Sequence, residues 1–379
     1  MNEVSSPDVR PPQAGEPLTI EYVSRPGLLR ISIVNFLLTI VTLTIYRFWA
    51  RTRVRRHIWS CVRINGEPLE YTGTGKELFL GALVVYALIG LPVILAYTVL
   101  TLMFGPKHWS LFAMQGVVIF VFMLLYGMAI YRARRYRLSR TLWRGIRGTL
   151  VGSPWAYSIR SFGALLLKMV TLGWATPAMN LMLESRITNE MQFGSERFRF
   201  AGSAAPLYRT FALCWFLTVF VLLLGGAAFW VVVASHGGWE QFVQSLGKPG
   251  GPPSPETIAL LVIGAFVALT VYGLVSAILW ASYMVRQMNV FASYTGYDKA
   301  RFHLAATTPS IIGLWLGNLL LVLVTFGIAQ PYAVQRSVRY VCNRLTATGT
   351  VDVAGIRQST AAMDQRGEGL ADAFDIDAF

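Results

Sequence analysis

Six polar residues stand inside otherwise apolar runs: Asn35, Thr42, Lys168, Thr171, Asn318 and Thr325. Amides and hydroxyls in such a setting have two uses. They hydrogen-bond between helices or back to the carbonyl four residues earlier, or they line a polar site where interrupted helices converge on a solute. Lys168 is the one charge inside an apolar segment. It fits an intramembrane anion contact or a lysine snorkelling to the interface. A second set is cationic. Arg51, Arg53, Arg55 and Arg56 follow the first apolar segment, flanked by Trp49 and Trp59, and Arg144 and Arg147 lie in a later basic cluster with Trp143. Guanidinium groups rimmed by aromatics suit acidic phospholipid headgroups or a phosphorylated ligand. They equally suit a solvated face that sets membrane orientation.

Constellations for catalysis or cofactor binding are not found in the sequence. His57, His108, His236 and His303 are scattered, and no phosphate-binding glycine loop or nucleophile elbow occurs in a strand-to-helix context. Cys61, Cys214 and Cys342 have no paired spacing, so neither a disulfide framework nor a metal site is expected. The expectation is a protein without catalytic residues, cofactor or metal.

The elements that position these residues follow from composition. Of 379 residues, 54% are hydrophobic and only 14% charged, and mean hydropathy is +0.51. A soluble chain of this length cannot hide so much apolar surface. A net charge of +14 is read as loops facing the cytoplasm rather than as nucleic-acid affinity. Four uncharged runs, within Leu78 to Pro106, Trp109 to Tyr131, Arg209 to Glu240 and Thr257 to Val285, are long enough to cross hydrocarbon as helices.

Three less regular apolar segments, 31–46, 161–183 and 311–332, are copies of one another. Asn35 to Ile45, Ala164 to Trp174 and Asn318 to Ile328 align without gaps at offsets of 129 and 154 residues, and the shared threonines are Thr42, Thr171 and Thr325. Turn signals follow each copy: Asn65-Gly66, Gly194-Ser195 and Gly349. With weaker ones near Gly145 and in 291–304, the expectation is five short β-hairpins packed into small sheets. If all three segments cross the bilayer, cationic residues divide 21 to 11 between the two sides; if all three turn back, they divide 30 to 2. The second division obeys the positive-inside rule. The reading is therefore an all-α polytopic membrane protein, with four full transmembrane helices, three repeated re-entrant or broken helices, and short cytosolic β-hairpins. Its parts are a polar tail (1–27, with a short strand near Leu18 to Val23), membrane repeats at 28–152 and 153–306, a partial third repeat at 307–356, and an acidic tail (357–379).

The stretches Ile33 to Thr39, Thr42-Leu-Thr-Ile-Tyr46, Trp49-Ala-Arg51-Thr-Arg53 and Arg55-Arg56 resemble the signature of YjgN-like bacterial inner-membrane proteins, as do Tyr136 to Arg147 and Glu368-Gly-Leu-Ala-Asp372. The likeness extends over nearly the whole chain after the tail. It implies a multi-pass protein of the bacterial inner membrane, in contact with membrane lipids, and it supplies no catalytic residues; the charge division places the N-terminus in the cytosol. The chain departs at Thr44, where the family has Gly, which weakens a strict glycine hinge in the first copy. Function is open between permeation of a small solute and a non-catalytic scaffold that binds anionic lipid through its basic face.

Overall fold

A computed structural model describes residues 15–235, 255–353 and 355–358. His236, Lys248 and the acidic residues of the C-terminal tail lie outside the described residues.

After two short strands, β1 (Glu16–Pro17) and β2 (Ile20–Tyr22), the first copy is a broken helix: α1 (Leu28–Val41), a turn, and α2 (Arg47–Trp59). Three strands follow, β3 (Val62–Ile64), β4 (Glu67–Pro68) and β5 (Glu70–Tyr71). Then come α3 (Gly75–Val85), a five-residue π-helix (Tyr86–Gly90), α4 (Leu91–Phe104) and α5 (Trp109–Arg140). The π-turn sits immediately before Pro92, which lacks an N–H and would press on the carbonyl four residues back; widening the turn relieves that contact. The unit closes with β6 (Thr141–Trp143) and β7 (Ile146–Leu150). The second copy repeats the order: α6 (Pro154–Val170), turn, α7 (Thr176–Glu190), β8 (Met191–Phe193), β9 (Glu196–Phe200), α8 (Ala205–Ser235), α9 (Pro255–Tyr294), β10 (Thr295–Tyr297) and β11 (Ala300–Leu304). The third is truncated to α10 (Thr308–Val324), turn, α11 (Gln330–Cys342), β12 (Leu345–Thr348) and β13 (Thr350–Val351).

Among the described residues, four helical stretches are long and apolar enough to cross a membrane: Gly75–Phe104, Trp109–Arg140, Ala205–Ser235 and Leu261–Tyr294. Their exposed side chains are mostly leucine, valine, isoleucine and phenylalanine, as lipid contact requires.

The all-α description needs correction. Strands β5 to β12 form one eight-stranded antiparallel sheet in strict chain order, beside a three-stranded sheet (β2, β3, β4) and the pair β1–β13. The hairpins β6–β7, β8–β9 and β10–β11 therefore join in one continuous sheet, and only β3–β4 stands in a small sheet of its own. A single hairpin is marginal alone, and joining edge to edge satisfies the backbone groups that each would otherwise leave open. A core of Trp143, Tyr297, Ala300, Val351 and Ile356, joined by Leu18, Ile64, Phe193, Phe198 and Phe302, covers one side, and the Trp143 indole donates to the Ile64 carbonyl at 3.1 Å. The fifth expected hairpin is not one: β12 pairs with β11 and β13 with β1. Gly349 alone separates β12 from β13, which is too little chain for a two-residue hairpin loop.

The strands flanking each broken helix are hydrogen-bonded to each other. Tyr22 faces Val62 across α1–α2, Leu150 faces Met191 across α6–α7, and Leu304 faces Leu345 across α10–α11. Each broken helix thus leaves the sheet and comes back beside its point of departure. By contrast, Tyr71 and Thr141 pair across α3–α5, and Phe200 and Thr295 across α8–α9, each bracketing two long apolar stretches.

The described chain divides into two compact units, 1–203 with 291–305 and 316–379, and 204–290 with 306–315. In the second, Asn289 brackets Ala306 with two backbone hydrogen bonds (2.9 and 3.1 Å), and Cys214 lies 3.3 Å from Ser282 Oγ.

Candidate functional site: three polar turns and an arginine pocket

The three breaks have one geometry. Thr44, Gly173 and Gly327 occupy equivalent positions at φ of 71°, 91° and 89°, each preceded by a left-handed Leu43, Leu172 or Phe326. Glycine reaches that region freely, whereas a β-branched residue does so at a cost; Thr44 adopts it nonetheless. The Thr42 hydroxyl donates to the Leu38 carbonyl (2.7 Å) and accepts from the Tyr46 amide (2.9 Å). Thr171 does the same between Leu167 and Ala175 (2.7 and 3.0 Å), and Thr325 between Leu321 and Ala329 (2.7 and 3.1 Å). Amide-to-carbonyl bonds from Thr44 to Thr39, Gly173 to Lys168 and Gly327 to Val322 (2.7, 2.7 and 2.8 Å) close each loop. Every amide of the three turns thus finds an acceptor within its own turn or the helix before it. Their tips are apolar and bare: Leu43, Leu172 and Phe326 are 84%, 75% and 87% exposed.

A polar contact clasps the two arms of each break. The Asn35 amide donates to the Ala50 carbonyl and the Asn318 amide to the Ala333 carbonyl, both at 3.3 Å, while Lys168 Nζ reaches Asn180 Oδ1 at 2.7 Å. Of the six intramembrane candidates, the three threonines are engaged in their own turns, and Lys168, Asn35 and Asn318 in their own clasps. The six do not converge on one cavity.

A cavity does form where the first and third copies meet. It measures about 340 Å³ and is lined by Ser32, Asn35 and Thr39 of α1, by Arg47, Arg51 and Arg55 of α2, and by Gly327, Ile328, Gln330 and Val334 of the third turn and α11. The arginines recur every four residues, so one face of α2 carries all three. Arg47 Nη2 also lies 3.2 Å from Tyr86 Oη, and Arg55 Nη1 lies 3.4 Å from Tyr71 Oη. Arg53 and Arg56 line a second concavity on the other flank of α2 with Arg25, Arg30 and His57. Burial holds the His57 imidazole below its ordinary range, with repulsion from Arg25 a lesser cause. No acidic residue lines either concavity among the described residues.

Arg144 and Arg147 are elsewhere. Arg144 makes the left-handed turn of the β6–β7 hairpin (φ 51°) with its guanidinium 5.9 Å from the Trp143 ring centroid, and the Arg147 amide donates to Gln358 Oε1 at 3.0 Å. Arg47 heads the same basic cluster in the sequence, four residues before Arg51. Sequence reasoning missed Ser32, which carried no signal.

Among the described residues no three His, Cys, Asp or Glu side chains are grouped to hold a metal ion. The cysteines are reduced and buried, and burial pushes the Cys342 thiol up to about 11.

The family described as "Bacterial protein of unknown function (DUF898)" matches residues 24–373. The chain belongs to that family. Curated relatives share a shorter stretch. "Inner membrane protein YjgN" of Salmonella typhimurium (strain LT2) is 45% identical over 56 residues, 15% of this chain and 14% of the relative. The proteins of that name from Escherichia coli O157:H7 and Escherichia coli strain K12 are 41% and 40% identical over 54 and 53 residues, covering 14% of this chain and 14% and 13% of their own lengths. The aligned portion is thus about one seventh of each relative. No solved structure matches. The DUF898 assignment supplies no reaction and no ligand, so the arginine pocket is read on its own chemistry.

Proposed function

We propose that this DUF898 protein is a non-catalytic protein of the bacterial inner membrane that recognises anionic phospholipid headgroups through its basic cytosolic face. In this reading the four long apolar stretches span the bilayer. The three broken helices enter it and return to the same side, and the N-terminus and sheet are cytosolic. Support for the topology comes from the pairing of Tyr22 with Val62, Leu150 with Met191 and Leu304 with Leu345. An arm of 14 to 17 residues reaches about 21–26 Å, short of the roughly 30 Å hydrocarbon core. The bare apolar tips supply the part that inserts. The relatives are named as inner-membrane proteins.

One observation carries the ligand class: Arg47, Arg51 and Arg55 line a single cavity, with no carboxylate in its wall among the described residues. An anion settles such a site through charge-assisted, bidentate hydrogen bonds. Its place beside an apolar membrane turn favours a headgroup whose acyl chains stay in the bilayer. Solute permeation draws on polar side chains meeting where helices break. The threonine hydroxyls are each occupied within their own turn, so the lipid reading has the stronger support.

The test is native mass spectrometry of the full chain extracted in mild detergent. Anionic phospholipid should be retained through washing, and Arg51→Gln combined with Arg47→Gln should release it. Retention of zwitterionic lipid alone, or equal retention by the variant, would overturn the proposal.

A further inference from the structure

The pocket between the first and third copies is asymmetric in a way that specifies more than a negative charge. Gln330 and Val334 are the third-copy equivalents of Arg47 and Arg51, at the common offset of 283 residues, and all four line the cavity. Two repeats thus present matching positions to one space, cationic on one side and neutral on the other. In the second copy those positions are Thr176 and Asn180, so the cationic stripe is peculiar to the first copy. Repeat interfaces of this kind are where membrane proteins with internal repeats hold their ligands.

The α1 wall adds a second requirement. Asn35 is 5% exposed and its amide nitrogen is committed to the Ala50 carbonyl, which fixes the orientation of the group. Its Oδ1 then has no hydrogen-bond partner among the described residues. One turn away Ser32 is 2% exposed and its Oγ has none among them either. A buried acceptor left open is costly, because it has given up water without a replacement. An anion cannot satisfy Asn35 Oδ1, because phosphate and carboxylate oxygens are acceptors. A hydroxyl on the ligand can. An ammonium donor would instead bring positive charge into a wall that already holds three guanidinium groups.

We infer that this pocket takes a phosphate ester of a polyol: the phosphate sits against Arg47, Arg51 and Arg55 with the Ser32 hydroxyl donating to it, and a free hydroxyl of the polyol donates to Asn35 Oδ1. A volume of about 340 Å³ is in the range of small-ligand sites. The inference rests on the anionic-headgroup reading for its charge and adds the hydroxyl. The same chemistry is offered by the headgroup of phosphatidylglycerol and by free glycerol phosphate.

Asn318 is the internal control. It makes the same clasp to Ala333, its Oδ1 is likewise unpartnered, and it does not line the cavity. A clasp alone therefore does not predict a ligand; the arginine face opposite Asn35 does.

The experiment has a lipid arm and a soluble arm. Full-length protein is placed in nanodiscs holding equal amounts of phosphatidylglycerol and phosphatidic acid, and retained lipid is read by mass spectrometry. In detergent, binding of glycerol 1-phosphate and of inorganic phosphate is measured by calorimetry. Phosphatidylglycerol enriched over phosphatidic acid supports the inference with the lipid as source. Glycerol phosphate bound in preference to inorganic phosphate, without lipid enrichment, supports it with the free ester as source. Arg51→Gln should weaken whichever is bound by about tenfold or more, the effect of losing a charged hydrogen bond. Asn35→Leu should abolish the polyol preference while Asn318→Leu keeps it, and Ser32→Ala gives a milder pocket variant should Asn35→Leu not fold. Equal retention of the two lipids, with the two soluble anions bound alike, would overturn the hydroxyl assignment and leave the headgroup reading standing. Failure to bind any of the four would remove both.

Discussion

Leu150 and Met191 are partners on adjacent antiparallel strands, although all of α6, its turn and α7 lies between them in the chain. The proposed re-entrant topology accounts for this pairing, since a single helix crossing the bilayer would leave its far end on the side opposite its start. The same holds for Tyr22 with Val62 and for Leu304 with Leu345.

This geometry predicts sidedness. Single cysteines at Glu67, Ser195 and Lys299, at the tips of three hairpins, should be labelled by an impermeant maleimide only from the cytoplasmic face, and one at Lys107 only from the other. Gly349 is a poor position, since a Cβ there would meet the Lys299 carbonyl oxygen at 2.4 Å. Labelling of the hairpin positions from opposite sides would refute the re-entrant arrangement.

The turn threonines should matter to stability. Replacing Thr42, Thr171 or Thr325 with Val keeps the shape and removes a donor and an acceptor, at a cost of about 1–3 kcal/mol each. Replacement by Ser should restore most of the loss. The three sites share no partner and should be nearly additive. Thermal unfolding in detergent reads this directly, and a Val variant as stable as the parent would show that the hydroxyls are idle.

Thr44 holds a left-handed conformation that its counterparts meet with Gly173 and Gly327. Thr44→Gly should stabilise the chain by about 1 kcal/mol, and Gly173→Ala should destabilise it by about 1–2 kcal/mol. Effects of the same sign at both positions, by the same unfolding assay, would show that the left-handed turn does not govern them.

His57 titrates below its ordinary range because burial disfavours the imidazolium, with Arg25 adding repulsion. A base with a depressed folded pKa binds fewer protons folded than unfolded in the window beneath its unfolded pKa of 6.5. Its penalty is therefore absent above that value, and stability falls as pH drops through it until the folded pKa is passed. Melting temperature followed from pH 8 to pH 5 should fall more for the parent than for His57→Gln. Parallel curves would exclude the histidine as the source.

Much of this was legible in the sequence because it is local. Thr42, Thr171 and Thr325 marked the three breaks, and Asn65-Gly66 marked a hairpin, since the turn types need those residues nearby. Thr44 in place of glycine argued against a hinge in the first copy, yet the turn forms there: the paired bonds of Thr42 and the 2.7 Å amide contact to Thr39 hold it. The continuous sheet was not legible. Its strands have only two to five residues, too few for a periodic signal, and their register depends on partners brought together by the helical excursions. The arginine pocket was legible on one side only. Arg51, Arg55 and Asn35 stand close in the chain, whereas Gly327, Gln330 and Val334 arrive from the other end of it.

The order of the eight-stranded sheet follows the order of synthesis, from β5 to β12 without a crossover. Each strand after β5 can therefore pair with one already synthesised, and each helical excursion between strands of this sheet starts and ends on neighbouring strands. Assembly can then proceed by accretion, one loop inserted and one edge extended at a time. Such a chain would tolerate gain or loss of a whole excursion with its two flanking strands far better than the loss of a single strand, which would strand an open edge in mid-sheet.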